Sequence, residues 1–144
     1  SRNLGIKFDM AQKLIDTYKL RNKSQYDFAA DLKVKTVFGQ KWVFNPVSRF
    51  WMELRSDKDR LSAIFSSTGV WFFDTFTMYC KHLGIQPVLS VHDELMAFCL
   101  DTPEAEAEMA AKLEKAIAYT NSKIKLNVFI GINYKFGENY AQTH

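Results

Sequence analysis

The sequence predicts an α+β fold in which a small antiparallel sheet is backed by long helices, preceded by a helical segment and a β-hairpin. Three observations predict it. Residues 57–83 form one long, largely apolar helical run. Two short β-prone runs, Gln86 to Val91 and Leu95 to Leu100, meet through His92-Asp93-Glu94. Further on, Leu126, Val128, Ile130 and Ile132 alternate as in a half-buried strand. The order helix, strand, strand, helix, strand fits helices layered on an antiparallel sheet.

The elements follow in chain order. Asp9 is placed to cap a helix beginning near Met10, with Met10, Leu14 and Tyr18 on one face. Asn22 and Ser24 read as a break, and a second helix runs from about Gln25 to Lys33. In "KTVFGQKWVF" the pair Gly39-Gln40 separates two β-prone runs, and Gly at the first central position suits a type II′ turn. Asn45-Pro46 ends that hairpin. Residues 47–56 read as a loop anchored by Phe50, Trp51 and Met52. Ser56 or Asp57 caps the long helix, and Lys81 and His82 occupy its last turn before Gly84. Its middle, "VWFFDTFTMY", is apolar nearly all round, as in a helix buried on most sides, and Gly69 suggests a close backbone approach. Asp101-Thr102-Pro103-Glu104 starts another helix, with Asp101 as its cap, running to about Tyr119.

A chain of 144 residues suits one continuous unit with a core. Aromatics at 15%, with 12 Phe, point to large buried surfaces or a lined groove. No apolar run free of charge reaches membrane-spanning length, and Ser1-Arg2-Asn3-Leu4 lacks the apolar core of a secretory signal. Cys80 and Cys99 have no metal or redox spacing and read as buried thiols of a reducing compartment, so the expected location is cytoplasmic. Residues 1–60 carry 13 Lys/Arg against 7 Asp/Glu, and residues 61–144 carry 6 against 9. The basic first part suits a polyanion partner or a solvated Lys-rich surface equally well.

His92-Asp93-Glu94 is the chemically distinctive stretch. Neighbouring strand residues point to opposite faces, but a tight turn relaxes that rule and lets Asp93 and Glu94 reach one side. Two carboxylates suit a hard cation such as Mg²⁺, which binds carboxylate and phosphate oxygens. A two-metal centre normally needs a second acidic strand. Asp74, Glu53, Asp57 and Asp101 are not placed to supply one, so on chemistry alone a purely structural polar turn is favoured over a metal site. No HExxH, Gly-flanked nucleophilic Ser or Gly-rich phosphate loop is present.

These residues resemble a known family. "VHDEL" looks like motif C of the family A, DNA polymerase I-like, DNA polymerases, a group that includes many bacteriophage replicases. The resemblance runs in order along all 144 residues. "SRNLGIKFDMAQKLIDTY" looks like the end of the fingers, and "TVFGQKWVFNP" like the palm hairpin. "DRLSAIFSSTGVWFFDTF" looks like the long palm helix, and "GENYAQTH" resembles the family's terminal Gly-Glu-Asn-Trp…His.

The resemblance implies template-directed DNA synthesis, with residues 1–34 as the end of the fingers and 35–144 as the last part of a palm-type sheet and its helices. It implies that Asp93 binds catalytic Mg²⁺, that Glu94 supports the metal site, and that His92 contacts the primer terminus. It implies DNA contacts for Arg60 and a place near the active site for His144; Lys33, Lys35 and Lys41 read as solvated unless their hairpin lies in the groove as in the family, where Lys41 would meet DNA. Where the family's long helix carries an Asn and a Gln that touch template and primer, this chain has Ser62 and Ser66, or Ile64 and Thr68 in a shifted register. The family's other metal-binding Asp and its nucleotide helix would lie before Ser1. The expected partners are therefore a complementary N-terminal polymerase fragment, primer-template DNA and a dNTP, with no membrane, and the piece alone is expected to be inert. If phage-encoded, it would work in the host cytoplasm. The alternative is a non-catalytic DNA-binding or scaffold module.

Overall fold

The computed structural model describes residues 5–143. It is mixed α+β, with two separate antiparallel sheets. The chain divides into two compact units, one up to Ser66 and one from Ser67, with the division inside the long helix.

In the first unit, helix α1 spans Phe8–Arg21 and α2 spans Lys23–Asp31. Lys7 precedes α1 without a side-chain cap, so Asp9 is not the cap but lies in the first turn. There its charge still faces the positive end of the helix dipole. Met10, Leu14 and Tyr18 share a face as expected, yet all three are exposed. The Asn22 side chain donates to the Tyr18 carbonyl at 2.8 Å and closes α1 where the break was expected.

Strands β1 (Val34–Val37), β2 (Gln40–Phe44) and β3 (Trp51–Leu54) form an antiparallel sheet in that order. Val37 pairs with Gln40, so the turn is Phe38-Gly39 rather than Gly39-Gln40. Both central residues have positive φ, 50° and 79°. That is the signature of a type I′ turn, whose twist matches the strands. Strand β3 occupies part of the predicted loop. Asn45 explains the difference. It is fully buried, and its Oδ1 accepts from the Val47 and Ser48 amides at 2.8 and 3.3 Å. Its own amide donates to the Phe50 carbonyl at 2.8 Å. The Asn-Pro signal thus builds a connection that returns Trp51 opposite Phe44.

Strand alternation sends Val34, Val43, Met52 and Leu54 to one face, where they pack with Leu32, Ala63 and Ile64. Burying each large aliphatic chain there contributes roughly 1.5–3 kcal/mol. A single 3-10 turn, Asp57–Asp59, leads into helix α3, Arg60–His82. Ser56 precedes that turn without a side-chain hydrogen bond.

In the second unit, Phe72, Phe76 and Cys80 fall four residues apart along α3 and pack with Ile85, Ala116 and Ile117. Val70 and Met78 are 61% and 54% exposed, so α3 buries one face there and not most sides. A Cβ on Gly69 would meet nothing within 4 Å, so no close approach requires that glycine. Gly84, at φ 81°, ends α3. Its amide donates to the Lys81 carbonyl and that of Ile85 to Cys80, the double bond pattern of a Schellman motif.

Strands β4 (Pro87–Val91) and β5 (Glu94–Ala97) pair antiparallel, with an irregularity between Pro87 and Leu89. Helix α4 spans Pro103–Ile124. Thr102, not Asp101, caps it, accepting from the Ala105 amide at 3.2 Å. Lys125 closes it in the left-handed conformation. The strand expected over Leu126 to Ile132 is not formed. Both backbone groups of Ile130 instead meet the Asn121 side chain, each at 2.9 Å, which replaces a neighbouring strand. Leu126 and Ile132 still pack against the core, whereas Val128 is 71% exposed. A short helix α5, Tyr140–Thr143, follows.

Candidate active-site hairpin

The β4–β5 hairpin carries the acidic stretch. Val91 pairs with Glu94, so the turn proper is His92-Asp93 and Glu94 is the first residue of β5. The turn therefore does not hold both carboxylates, as had been expected. His92 takes φ 53°, a left-handed conformation that costs a non-glycine residue about 1 kcal/mol or more. His is among the residues that tolerate it best. His92, Asp93 and Glu94 are all exposed.

Glu94 also lines a cavity of about 350 Å³ inside the second unit. Met96, Phe98, Met109, Tyr134 and Tyr140 contribute to its walls, and Asp93 does not. No local pattern signals this cavity, because its walls come from β5, α4, α5 and an irregular segment. Strand β4 is exposed along most of its length, with Val88 and Leu89 at 50% and 46%.

The donor chemistry of Asp93 and Glu94 suits Mg²⁺, which prefers hard carboxylate oxygens. The number of donors falls short. Among the described residues no group of three His, Cys, Asp or Glu side chains is placed to hold a metal ion.

The remaining predicted residues lie in the first unit. Lys41 and Arg60 converge on one carboxylate, Asp57, which sequence reasoning set aside. Lys41 Nζ donates to its Oδ2, and Arg60 to its Oδ1 at 2.9 Å. The hydrogen bonds from Lys41 and then Arg60 hold the Asp57 carboxyl below its usual range. Arg60 also reaches the Ala29 carbonyl at 3.4 Å and so ties the start of α3 to α2. The three-residue spacing of Asp57 and Arg60 was the available signal for this cluster. Ser62 and Ser66 are exposed four residues apart on one face, whereas Ile64 is buried in the core. The outward-facing pair is thus Ser62 and Ser66 rather than Ile64 and Thr68. Ser62 Oγ donates to the Asp59 carbonyl at 2.9 Å. His144 lies outside the described residues.

Both cysteines are free, and burial pushes the Cys80 thiol up to about 11. Cys99 is only half-buried, against the expectation of two buried thiols. No described helix is long and apolar enough to cross a membrane. The chain matches no family model, no curated protein and no solved structure.

Proposed function

We propose that this chain is the C-terminal part of a family A DNA polymerase and supplies one half of a two-metal nucleotidyl-transfer site. The observation that carries the reading is the ordered run of family-like segments along the sequence, with "VHDEL" on a two-stranded hairpin. Asp93 stands at the exposed turn, open to ligands from outside the chain. When bound, Mg²⁺ would supply charge neutralisation at the transferring phosphate. Asp93 would hold it and Glu94 would support the site.

On this reading the centre is shared rather than self-sufficient. Two carboxylates on one hairpin leave the rest of the ligand set to the complementary fragment. The exposure of β4 fits the same reading. A lone two-stranded hairpin is marginal in water, and an apolar edge strand invites a further strand. An added strand on β4 would bring its own side chains beside Asp93. His92 would meet the primer terminus. Ser62 and Ser66 would face the duplex with shorter reach than the amides they replace. Lys41 and Arg60 would contribute to DNA binding only in competition with Asp57.

Primer extension tests the proposal. The chain alone should be inactive with Mg²⁺, primer-template and dNTPs, and a mixture with the complementary N-terminal fragment should extend the primer. Extension by the chain alone would contradict it.

A further inference from the structure

The three-stranded sheet of the first unit has a second face, and nothing in the proposed polymerase chemistry uses it. Register decides which residues lie there. Lys35 pairs with Trp42, and Trp42 with Glu53; Phe44 pairs with Trp51. The Phe44 amide donates to the Lys33 carbonyl at 2.9 Å, which continues the ladder and sets Lys33 opposite Phe44. Two cross-strand rows result: Lys33, Phe44, Trp51 and Lys35, Trp42, Glu53. Val43, Met52 and Leu54 point the other way, into the core.

Trp42, Phe44 and Trp51 are each only half-buried and none belongs to the core cluster. Phe44 and Trp51 are in contact, with ring centres 5.3 Å apart and planes tilted by 56°. The Lys35 ammonium lies over the Trp51 ring, 4.0 Å from its centre. Apolar aromatic rings left at a solvated surface, with a cation already using one π-face, form a surface for flat π partners. The charge nearby selects the partner. Residues 33–44 contain three Lys and no Asp or Glu. Lys41 is held by Asp57 on the core side, so Lys33 and Lys35 serve this face, against the single acid Glu53.

We propose that this face binds single-stranded nucleic acid, stacking unpaired bases on Trp42, Phe44 and Trp51 while Lys33 meets the phosphates and Lys35 leaves the Trp51 ring to meet them too. Aromatic rings on a small sheet beside basic side chains are a general solution for unpaired bases, because every base has a π-face. A duplex hides those faces and fits less well. A protein partner would find two lysines in the patch, a residue type depleted in interface cores. This site does not depend on Asp93 or on the polymerase reading, and either stands if the other fails.

The indole rings report on their own occupancy. In a Trp71→Phe background, Trp42 and Trp51 are the remaining fluorophores. The probes are oligo(dT), the same sugar-phosphate chain without bases, and a duplex of equal length, at low and moderate salt. Oligo(dT) should quench the emission strongly, and the abasic chain and the duplex should do so weakly. Trp42→Leu and Phe44→Leu keep apolar bulk and remove the π-face. Each should weaken oligo(dT) binding, followed by anisotropy of a labelled oligonucleotide, by roughly ten-fold. Lys35→Ala should flatten the salt dependence by about 0.7 of a unit of slope. Equal quenching by the abasic chain, unchanged affinity in folded Leu variants, or no binding of oligo(dT) would each overturn the proposal.

Discussion

Replacing Asn45 with Ala tests why the chain after β2 turns back into a third strand. Asn45 is fully buried, and its side chain meets three backbone groups. Oδ1 accepts from the Val47 amide at 2.8 Å and from Ser48 at 3.3 Å, and Nδ2 donates to the Ile64 carbonyl at 3.3 Å. Alanine removes this partner from the Val47 and Ser48 amides in a place water reaches poorly, whereas the Ile64 carbonyl lies within helix α3. An orphaned buried group costs about 1–3 kcal/mol. The Ser48 bond is long, so values near the low end apply, and the sum over the two amides is about 2 kcal/mol. With a urea slope of about 1–3 kcal/mol per molar, the midpoint should fall by about 0.7–2 M. Trp42 and Trp51 fluorescence in a Trp71→Phe background reads unfolding of this unit directly. A loss below about 0.5 kcal/mol, the size expected of an ordinary surface turn, would refute the reasoning.

Three further predictions follow from the same geometry. Phe38→Asn should stabilise the hairpin by roughly 0.5–1 kcal/mol, because Phe38 is 100% exposed at φ 50° and Asn tolerates that conformation better; a higher urea midpoint checks it. The Asp57 carboxyl is held low by Lys41 and Arg60, so its contribution to stability is complete above the ordinary carboxylate pKa and fades as pH falls through the depressed value. Asp57→Asn should remove that component and flatten the acid limb of stability against pH; an unchanged limb would count against the cluster. A thiol reagent near pH 8 should modify half-buried Cys99 first and reach Cys80, raised to about 11 by burial, only on unfolding, as peptide mapping would show.

The mixed α+β class was legible because its signals are local and strong: a long apolar run, Gly84 after it, Thr102-Pro103 before the next helix. The misreadings share a cause. Trp51–Leu54 and Leu126 to Ile132 each carry only a local pattern, but a strand exists only through its neighbour. Asn45 supplies a return path that makes Trp51–Leu54 a strand. Asn121 meets Ile130 where a strand was expected to lie, and so leaves that segment irregular. Likewise, Met10, Leu14 and Tyr18 have the spacing of a buried stripe, and periodicity reports a face without reporting what covers it. At the hairpin, the approximate place of the turn was legible from the polar triplet between apolar runs. Its register was not, and register is what separates Asp93 on the turn from Glu94 on β5.

If Asp93 is one half of a shared metal centre, as proposed, its charge is needed for nucleotidyl transfer. The most direct test is the rate of primer extension in the reconstituted mixture, comparing the unaltered chain with Asp93→Ala and Asp93→Asn. Both variants should still form the complex and bind primer-template, yet extend it at least a hundred-fold more slowly, because Asn keeps the shape and removes the charge that would hold Mg²⁺. Extension at the unaltered rate by either variant, in a complex shown to be intact, would contradict the proposal and make His92-Asp93 a structural turn.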